Sequence, residues 1–449
     1  MAPSVSTRGS PAPQEAGIPI RSNSVGKRVG SKGSAIAPNG NIYPASTNYV
    51  LSLSADRLDA TYKQGETVTF TITLLLDHQP VKDAAVNWTL SKDGAPPATS
   101  GTAKFTGASA TITGKLDEPG FLQCRASFAG PDKLVRIALG GAAIDPRQIK
   151  ASLPAPADFD EFWTVQKQKL AAIPLNASLK AEKSPVPGVE CFDVSADCDG
   201  APLRGYLARP TGAKPKSLPT ILLVHGAGVR SSNLGGSADW ARQGFLAMDM
   251  NAHGLPNGQP DEFYQNLTNG RLKNYSQQGR ESREAVYFRG MFLRLVRAID
   301  FLTAQPEWDG RTVVVHGSSQ GGWQAIAAAG LDSRVTFFAA GVPAGCDHTG
   351  VVANRVNGWP QFLAKPPAKP DSKILEAVRY YDAVNFATRI KAAGIVTVGF
   401  IDTTCPPTSV YAAYNALPGK KEIFNDVPSG HALSPKAASA MREAIAAVK

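Results

Sequence analysis

A serine, a histidine and an aspartate in this chain have the types and the order that acyl transfer needs. Ser319 stands in Gly317-Ser-Ser-Gln-Gly321, a Gly-x-Ser-x-Gly pattern. A serine hydroxyl is a poor nucleophile at neutral pH and needs a base to take its proton, with an acid to orient that base. In a strand–elbow–helix arrangement the partners follow in the order Ser, then Asp or Glu, then His. Of the six histidines, two follow Ser319. His348 precedes every remaining predicted strand, whereas His431 lies in Pro428-Ser-Gly-His-Ala432, just past the last one. His431 is therefore the expected base. The acid should end the strand before that, where Asp402 closes the apolar run 395–401. Its competitors are Asp382, which reads as a helix-region charge, and Asp426, inside or against the last strand.

The same chemistry needs donors for a tetrahedral oxyanion. A short apolar run, Val313 to Val315, precedes the pattern, and helix formers from Trp323 to Ala329 follow it. Such a turn is too tight for a Cβ at Gly317 or Gly321, and it aims the Gln320 backbone N–H at the oxyanion. The second donor is expected from His225-Gly-Ala-Gly228, which follows the strand ending at Val224, with the Ala227 N–H as candidate. His225 reads as structural in that turn, and His316 sits on the strand before the elbow. His253, in Asn251-Ala-His-Gly254, reads more readily as a loop cap than as a pocket wall. Cys405 is expected near the site as a buried bystander thiol, in preference to a second nucleophile.

The elements that would carry these groups divide the chain in three. Residues 1–45 are rich in Ser, Gly, Pro and Ala without periodicity and read as a disordered leader. Residues 46–145 hold short stretches of period two, near 49–54, 68–74, 86–90, 110–113, 120–128 and 134–139, separated by turns such as Lys92-Asp-Gly94. That spacing predicts an immunoglobulin-like β-sandwich. Trp88 and Cys124 stand about where such a fold keeps its core Trp and second Cys, but no cysteine lies near Val68 to pair with Cys124. With no cluster of exposed aromatics, a spacer or packing role is favoured over sugar binding. Gly140 to Pro146 reads as a linker, and Asp158 or Asp160 as the cap of a helix through Trp163 to Leu170. From there to residue 449 strands near 218–224, 245–249, 335–340, 395–401 and 422–427 alternate with helices. One of these carries Phe288, Phe292, Leu295, Ile299 and Leu302 on a single face. This predicts an α/β domain with a mostly parallel sheet covered on both faces.

Composition narrows the function further. The 449 residues are 43% hydrophobic and 19% charged, ordinary for a chain with a large core. The net charge of +10 owes much to five basic residues in the leader against one acid, Glu15, and the rest lacks the blocks that mark nucleic-acid binding. The five cysteines form no Cys-x-x-Cys, so neither a zinc site nor a redox motif is indicated, and no cofactor or metal is called for. Cys198 adjoins an expected hairpin turn at Asp199-Gly200, which places it at the bend instead of opposite Cys191 and argues for free thiols over a pair. No apolar run approaches the roughly 18 residues of a membrane span. The first 30 residues lack the apolar core of a signal peptide.

In combination, Gly317 to Trp323, the helix before it, Tyr381-Asp-Ala-Val-Asn-Phe-Ala387, Ile401-Asp-Thr-Thr-Cys-Pro-Pro407 and Gly430-His431 resemble the acetyl xylan esterase/cephalosporin C deacetylase family of α/β-hydrolases. The likeness covers about residues 155–449. It implies an α/β-hydrolase domain over 146–449 and a Ser–His–Asp esterase that removes acetyl groups from acetylated oligo- or polysaccharides. By carry-over Ser319, Asp402 and His431 form the triad, and Ala227 and Gln320 the oxyanion hole. It also implies a homo-oligomer, a ring-shaped hexamer in the family, whose contacts an added sandwich can block. Substrate class and sandwich together point to export. Two departures stand out. Met250-Asn-Ala-His-Gly254 replaces the family's Arg-Gly-Gln, and Gly430-His431-Ala432 replaces Gly-His-Glu. The rivals are a prolyl-oligopeptidase-like peptidase, whose propeller far exceeds this sandwich in size, and a carbohydrate-binding protein with an inactive hydrolase domain.

Overall fold

Period-two burial builds the N-terminal unit. In the strand Val68–Leu76 the alternate residues Val68, Phe70, Ile72 and Leu74 are buried and the threonines between them are not. The computed structural model of the chain describes residues 34–36, 42–44, 49–96, 99–364 and 369–449. One antiparallel sheet joins Tyr49–Ala55, Val68–Leu76 and Ser109–Gly114. The other runs Val135–Ile144, Gly120–Ala129, Ala85–Lys92, Thr99–Lys104. Their inner faces share one core, with Phe70 and Ile72 from the first sheet and Leu90, Leu122 and Cys124 from the second. Each such apolar side chain contributes about 1.5–3 kcal/mol on burial. All six expected strands are present. Thr99–Lys104 was not anticipated, because it is almost wholly exposed and carries no apolar alternation. The arrangement supports, as a proposal, the immunoglobulin-like reading of residues 46–145.

Two expectations at the edges of this unit need correcting. Gly140 to Ile144 is not linker but the second half of the strand Val135–Ile144, and Gly140 to Asp145 are buried. Its glycines are there for close approach: a Cβ on Gly140 would strike Leu53, and one on Gly141 would strike the Phe400 carbonyl. Of the expected leader, only Ser34–Ile36 and Ile42–Pro44 fall within the described residues, and these pair as antiparallel strands. The rest of it lies outside them.

The second unit is built on a nine-stranded sheet. Its order is Ser178–Glu182, Val189–Ala196, Leu203–Pro210, Leu246–Met250, Leu218–Val224, Trp308–Ser318, Phe337–Gly341, Ala393–Gly399, Lys421–Asp426. From Leu246–Met250 onward neighbours are parallel, and the first three strands are antiparallel additions. This is the α/β-hydrolase architecture, with short strand-end shifts from the sequence reading. All five cysteines are free and buried. Among the described residues no helix is long and apolar enough to cross a membrane. The helix Phe159–Ala171 starts where expected, but neither aspartate caps it. The Asp158 carboxylate instead takes Arg283 at 2.5 Å and the Tyr380 hydroxyl, and Asp160 pairs with Arg389. Two long-range partners outcompete a local cap.

The helices Phe288–Thr303 and Gln320–Leu331 fill the layer beneath the site. Phe288 and Phe292 were expected on a buried face, and they meet Trp323 with ring centroids 4.3 and 5.2 Å away. Trp323 is fully buried, and its indole N–H donates to the Tyr381 carbonyl at 2.9 Å. Trp323→Ala is expected to cost about 3–5 kcal/mol of stability, measured by urea unfolding. A loss under 1 kcal/mol would mean that this packing does not hold the elbow helix.

Candidate active site

Three backbones crowd together around the Val224 carbonyl, and that crowding makes the turn at Ser319. A Cβ on either Gly317 or Gly321 would run into this carbonyl oxygen. Between the two glycines Ser319 has φ 59° and ψ −123°, a conformation that L residues rarely adopt. The strain is held by bonds on both sides. Ser319 N–H donates to Gly341 at 2.9 Å, and its carbonyl accepts from Trp323 N–H at 3.1 Å and Ala344 N–H at 3.0 Å. The side chain then projects from the end of Trp308–Ser318, at the start of Gln320–Leu331.

The other two predicted residues meet it there. Ser319 Oγ lies 2.8 Å from His431 Nε2, and His431 Nδ1 lies 2.8 Å from Asp402 Oδ2. Asp402 is 1% exposed, and its Oδ1 accepts the Thr404 and Cys405 backbone N–H groups at 2.8 Å each. This carboxylate fixes the imidazole with its proton on Nδ1, leaving Nε2 to accept from the serine. The two loops are tied to each other: Ile401 N–H donates to Ser429 at 3.2 Å, and a Cβ on Gly399 would strike the Ser429 carbonyl. Of the competing acids, Asp382 takes the Asp347, His348 and Val384 N–H groups and caps Ala383–Ala387. Asp426 stays on the last strand.

The oxyanion candidates come from two adjoining segments. Gln320 is the first residue of its helix, where free N–H groups and the helix dipole favour negative charge. Ala227 is exposed in the loop after Leu218–Val224, and the Cβ direction of its neighbour Gly226 points to within 3.6 Å of Ser319 Cβ. A residue that sequence reasoning passed over joins the two. Tyr275 donates its hydroxyl to Gln320 Oε1 at 2.6 Å and accepts from Gly228 N–H at 3.3 Å. Its partner Gln320 is 45 residues away, and a lone tyrosine in a loop carries no signal of that.

Two other histidines, His225 and His253, act as braces. His225 Nδ1 meets the Gly226 carbonyl at 2.7 Å while Nε2 accepts from Ala252 N–H at 3.2 Å. His253 bridges the Tyr287 hydroxyl at 2.7 Å and the Gly228 carbonyl at 3.2 Å, so it supports the loop that carries Ala227. Burial holds His253 near pKa 3 and His316 near 4. His348 has no hydrogen-bond partner on either nitrogen, packs against Trp323 and Phe362, and is pushed down by burial to about 3. Phe362 is buried there, while Trp359 is half-buried and donates its backbone N–H to the Thr404 carbonyl at 2.8 Å.

Ligand atoms of Asp402, Cys405 and His431 lie within 4.8 Å of one another. Metal chemistry suits this set poorly. Asp402 and His431 already bond to each other, and burial pushes the Cys405 thiol well above its ordinary value, whereas a metal takes the thiolate.

Comparison with known proteins adds a second line. A family model described as acetyl xylan esterase (AXE1) matches residues 146–432. An acetyl esterase, Axe7A, from Xylanibacter ruminicola is 32% identical over 404 residues, 88% of this chain and 89% of its own. An acetyl xylan esterase from Paenibacillus sp. R4 superposes with a TM-score of 0.59 at 29% identity, covering 67% of this chain and 98% of its own. Acetyl xylan esterase 1 from Thermoanaerobacterium sp. JW/SL YS485, at 23% identity and a TM-score of 0.56 over 68% of this chain and 97% of its own, shares the fold.

Two outcomes test these assignments. Tyr275→Phe removes the bridge between the oxyanion segments and should lower kcat about tenfold, the size of one lost hydrogen bond, with KM little changed. An unchanged kcat would separate Tyr275 from the site. His348 is neutral when folded but protonates below about pH 6.5 when unfolded, so it withdraws stability as pH falls toward 4. His348→Leu should therefore gain stability over the parent across that window, by at most about 1.4 kcal/mol per pH unit, read by denaturant unfolding at several pH values. A pH-independent difference would contradict this.

Proposed function

The chain belongs to the acetyl xylan esterase family, and from that footing we propose that it removes acetyl groups from acetylated oligo- or polysaccharides through an acyl-enzyme on Ser319. It is a carboxylic-ester hydrolase, which sets aside both the peptidase and the non-catalytic reading. The proposal rests on one observation above the others, the unbroken chain from Ser319 Oγ through the His431 ring to Asp402, with both links at 2.8 Å.

The steps follow from that chain. Ser319 Oγ attacks the acetyl carbon as its proton passes to His431 Nε2, and the new imidazolium is stabilised by the buried Asp402 carboxylate. The tetrahedral oxyanion is received by the Ala227 and Gln320 N–H groups, each worth on the order of a hundredfold or more in rate. His431 returns its proton to the departing sugar oxygen. Water then repeats the sequence on the acetyl-serine, releasing acetate and restoring the hydroxyl. The solvent reaches the base readily, since the His431 side chain is 23% exposed while its acid is sealed.

Ser319→Ala should lose about 10⁴-fold or more of p-nitrophenyl acetate turnover, and the parent should release acetate from at least one member of a panel of acetylated glycans. Parental turnover by Ser319→Ala would contradict the mechanism. A parent active on the small ester yet silent on every glycan would contradict the substrate class.

A further inference from the structure

The helix Pro407–Ala416 begins five residues beyond Asp402, and the residues flanking it give it no side-chain cap. Its N-cap residue is Pro406, which offers no side-chain acceptor, and Pro407 follows. The start is nevertheless buried, with Pro407, Thr408 and Ser409 all inaccessible. An acceptor arrives from the sandwich. Asp93, 315 residues away in sequence, accepts the Thr408 hydroxyl through Oδ1 at 2.6 Å. Asp93 sits at the Lys92-Asp-Gly94 turn with φ 54° and is 3% exposed, and its N–H donates to Phe121 at 3.0 Å. Its Oδ2 has no partner, and burial pushes the carboxyl up to about 6 against the opposing pull of the Lys92 and Arg355 charges.

A carboxylate half-satisfied in the interior is costly, and a domain that served only as a spacer would have no use for one. What it faces is a helix N-terminus, where an anion is favoured. The same edge of the sandwich also reaches the other flank of the acid. The Phe121 ring stands edge-on to Phe400 at 4.9 Å and lies 5.5 Å from Tyr411, and Gly141 has no room for a Cβ against the Phe400 carbonyl. Phe400 lies two residues before Asp402. Between these two contacts lie the Thr404 and Cys405 N–H groups that hold Asp402 Oδ1.

We infer that the N-terminal sandwich is part of the catalytic apparatus, with Asp93 holding the start of the helix Pro407–Ala416 through the Thr408 hydroxyl and Phe121 bracing Phe400, so that together they position Asp402. The inference rests on the triad reading above. Asp93 is a positioning residue, acting on His431 only through Asp402.

The test uses the full chain, with kcat and KM for p-nitrophenyl acetate measured from pH 5 to 9 and active sites counted by burst titration. Asp93→Ala and the near-isosteric Thr408→Val should each lower kcat per active site about tenfold at unchanged KM, in the range for loss of a group supporting a catalytic one. Both should move the kinetic pKa of the base downward, because a loosened Asp402 stabilises the imidazolium less. Asp93→Asn keeps the acceptor and should stay within about twofold of the parent. Parental kcat per active site and parental pKa in both Asp93→Ala and Thr408→Val would overturn the inference while leaving the triad standing, provided Ser319→Ala is dead. Loss confined to the number of active sites, with each remaining site at full rate, would also overturn it, since the contact would then serve folding alone. An active Ser319→Ala would instead bring down the triad reading itself.

Discussion

The site depends on the absence of space around one carbonyl group. Val224 ends the strand beside the nucleophile's own, and its oxygen lies where a Cβ on Gly317 or Gly321 would have to go. Three backbone segments can meet there only because two residues lack side chains, and their meeting forces Ser319 into its positive-φ turn. The same contact sets the distance from the loop after Val224 to the start of the helix after Ser319. Ser319 and the proposed oxyanion donors, the Ala227 and Gln320 N–H groups, are thereby placed by one packing event. Ordered backbone of this kind needs no reorganisation as charge develops, which is why it favours a transition state over a ground state.

Around that point, charge and proton traffic are kept to one group. His225, His253, His316 and His348 are all held neutral by burial and serve as braces or packing. His431 is the histidine bonded to the serine, and its side chain is 23% exposed. Asp402 is sealed beneath it by two backbone N–H groups, in a loop gripped from one side by Ser429 and from the other by the sandwich. The proposed base is thus partly open to solvent, while the carboxylate bonded to it is sealed. The division follows from where each strand ends.

Much of this was legible from residue types and order. The elbow declares itself through paired glycines between an apolar run and helix formers, and strand ends then choose Asp402 over Asp382 and His431 over His348. What the sequence hid has physical reasons. The three antiparallel strands between 178 and 210 begin with Ser178–Glu182, a mostly exposed edge with no apolar alternation to betray it. Gly140 to Ile144 has a linker's composition, yet Gly140 makes room for the Leu53 side chain and Gly141 for the Phe400 backbone. Asp158 has the look of a local cap and is taken instead by Arg283 and Tyr380. Tyr275 and Asp93 act through partners far along the chain, and no local pattern can announce such a bond.

The central claim is that a single hydroxyl, activated through one imidazole, becomes acylated. Treatment with a small organophosphate ester followed by peptide mass analysis addresses it directly. One phosphoryl group per chain is expected, on the peptide bearing Ser319, forming in step with loss of esterase activity and failing to form in His431→Ala. Labelling of a different residue, or full esterase activity in protein completely labelled at Ser319, would contradict it.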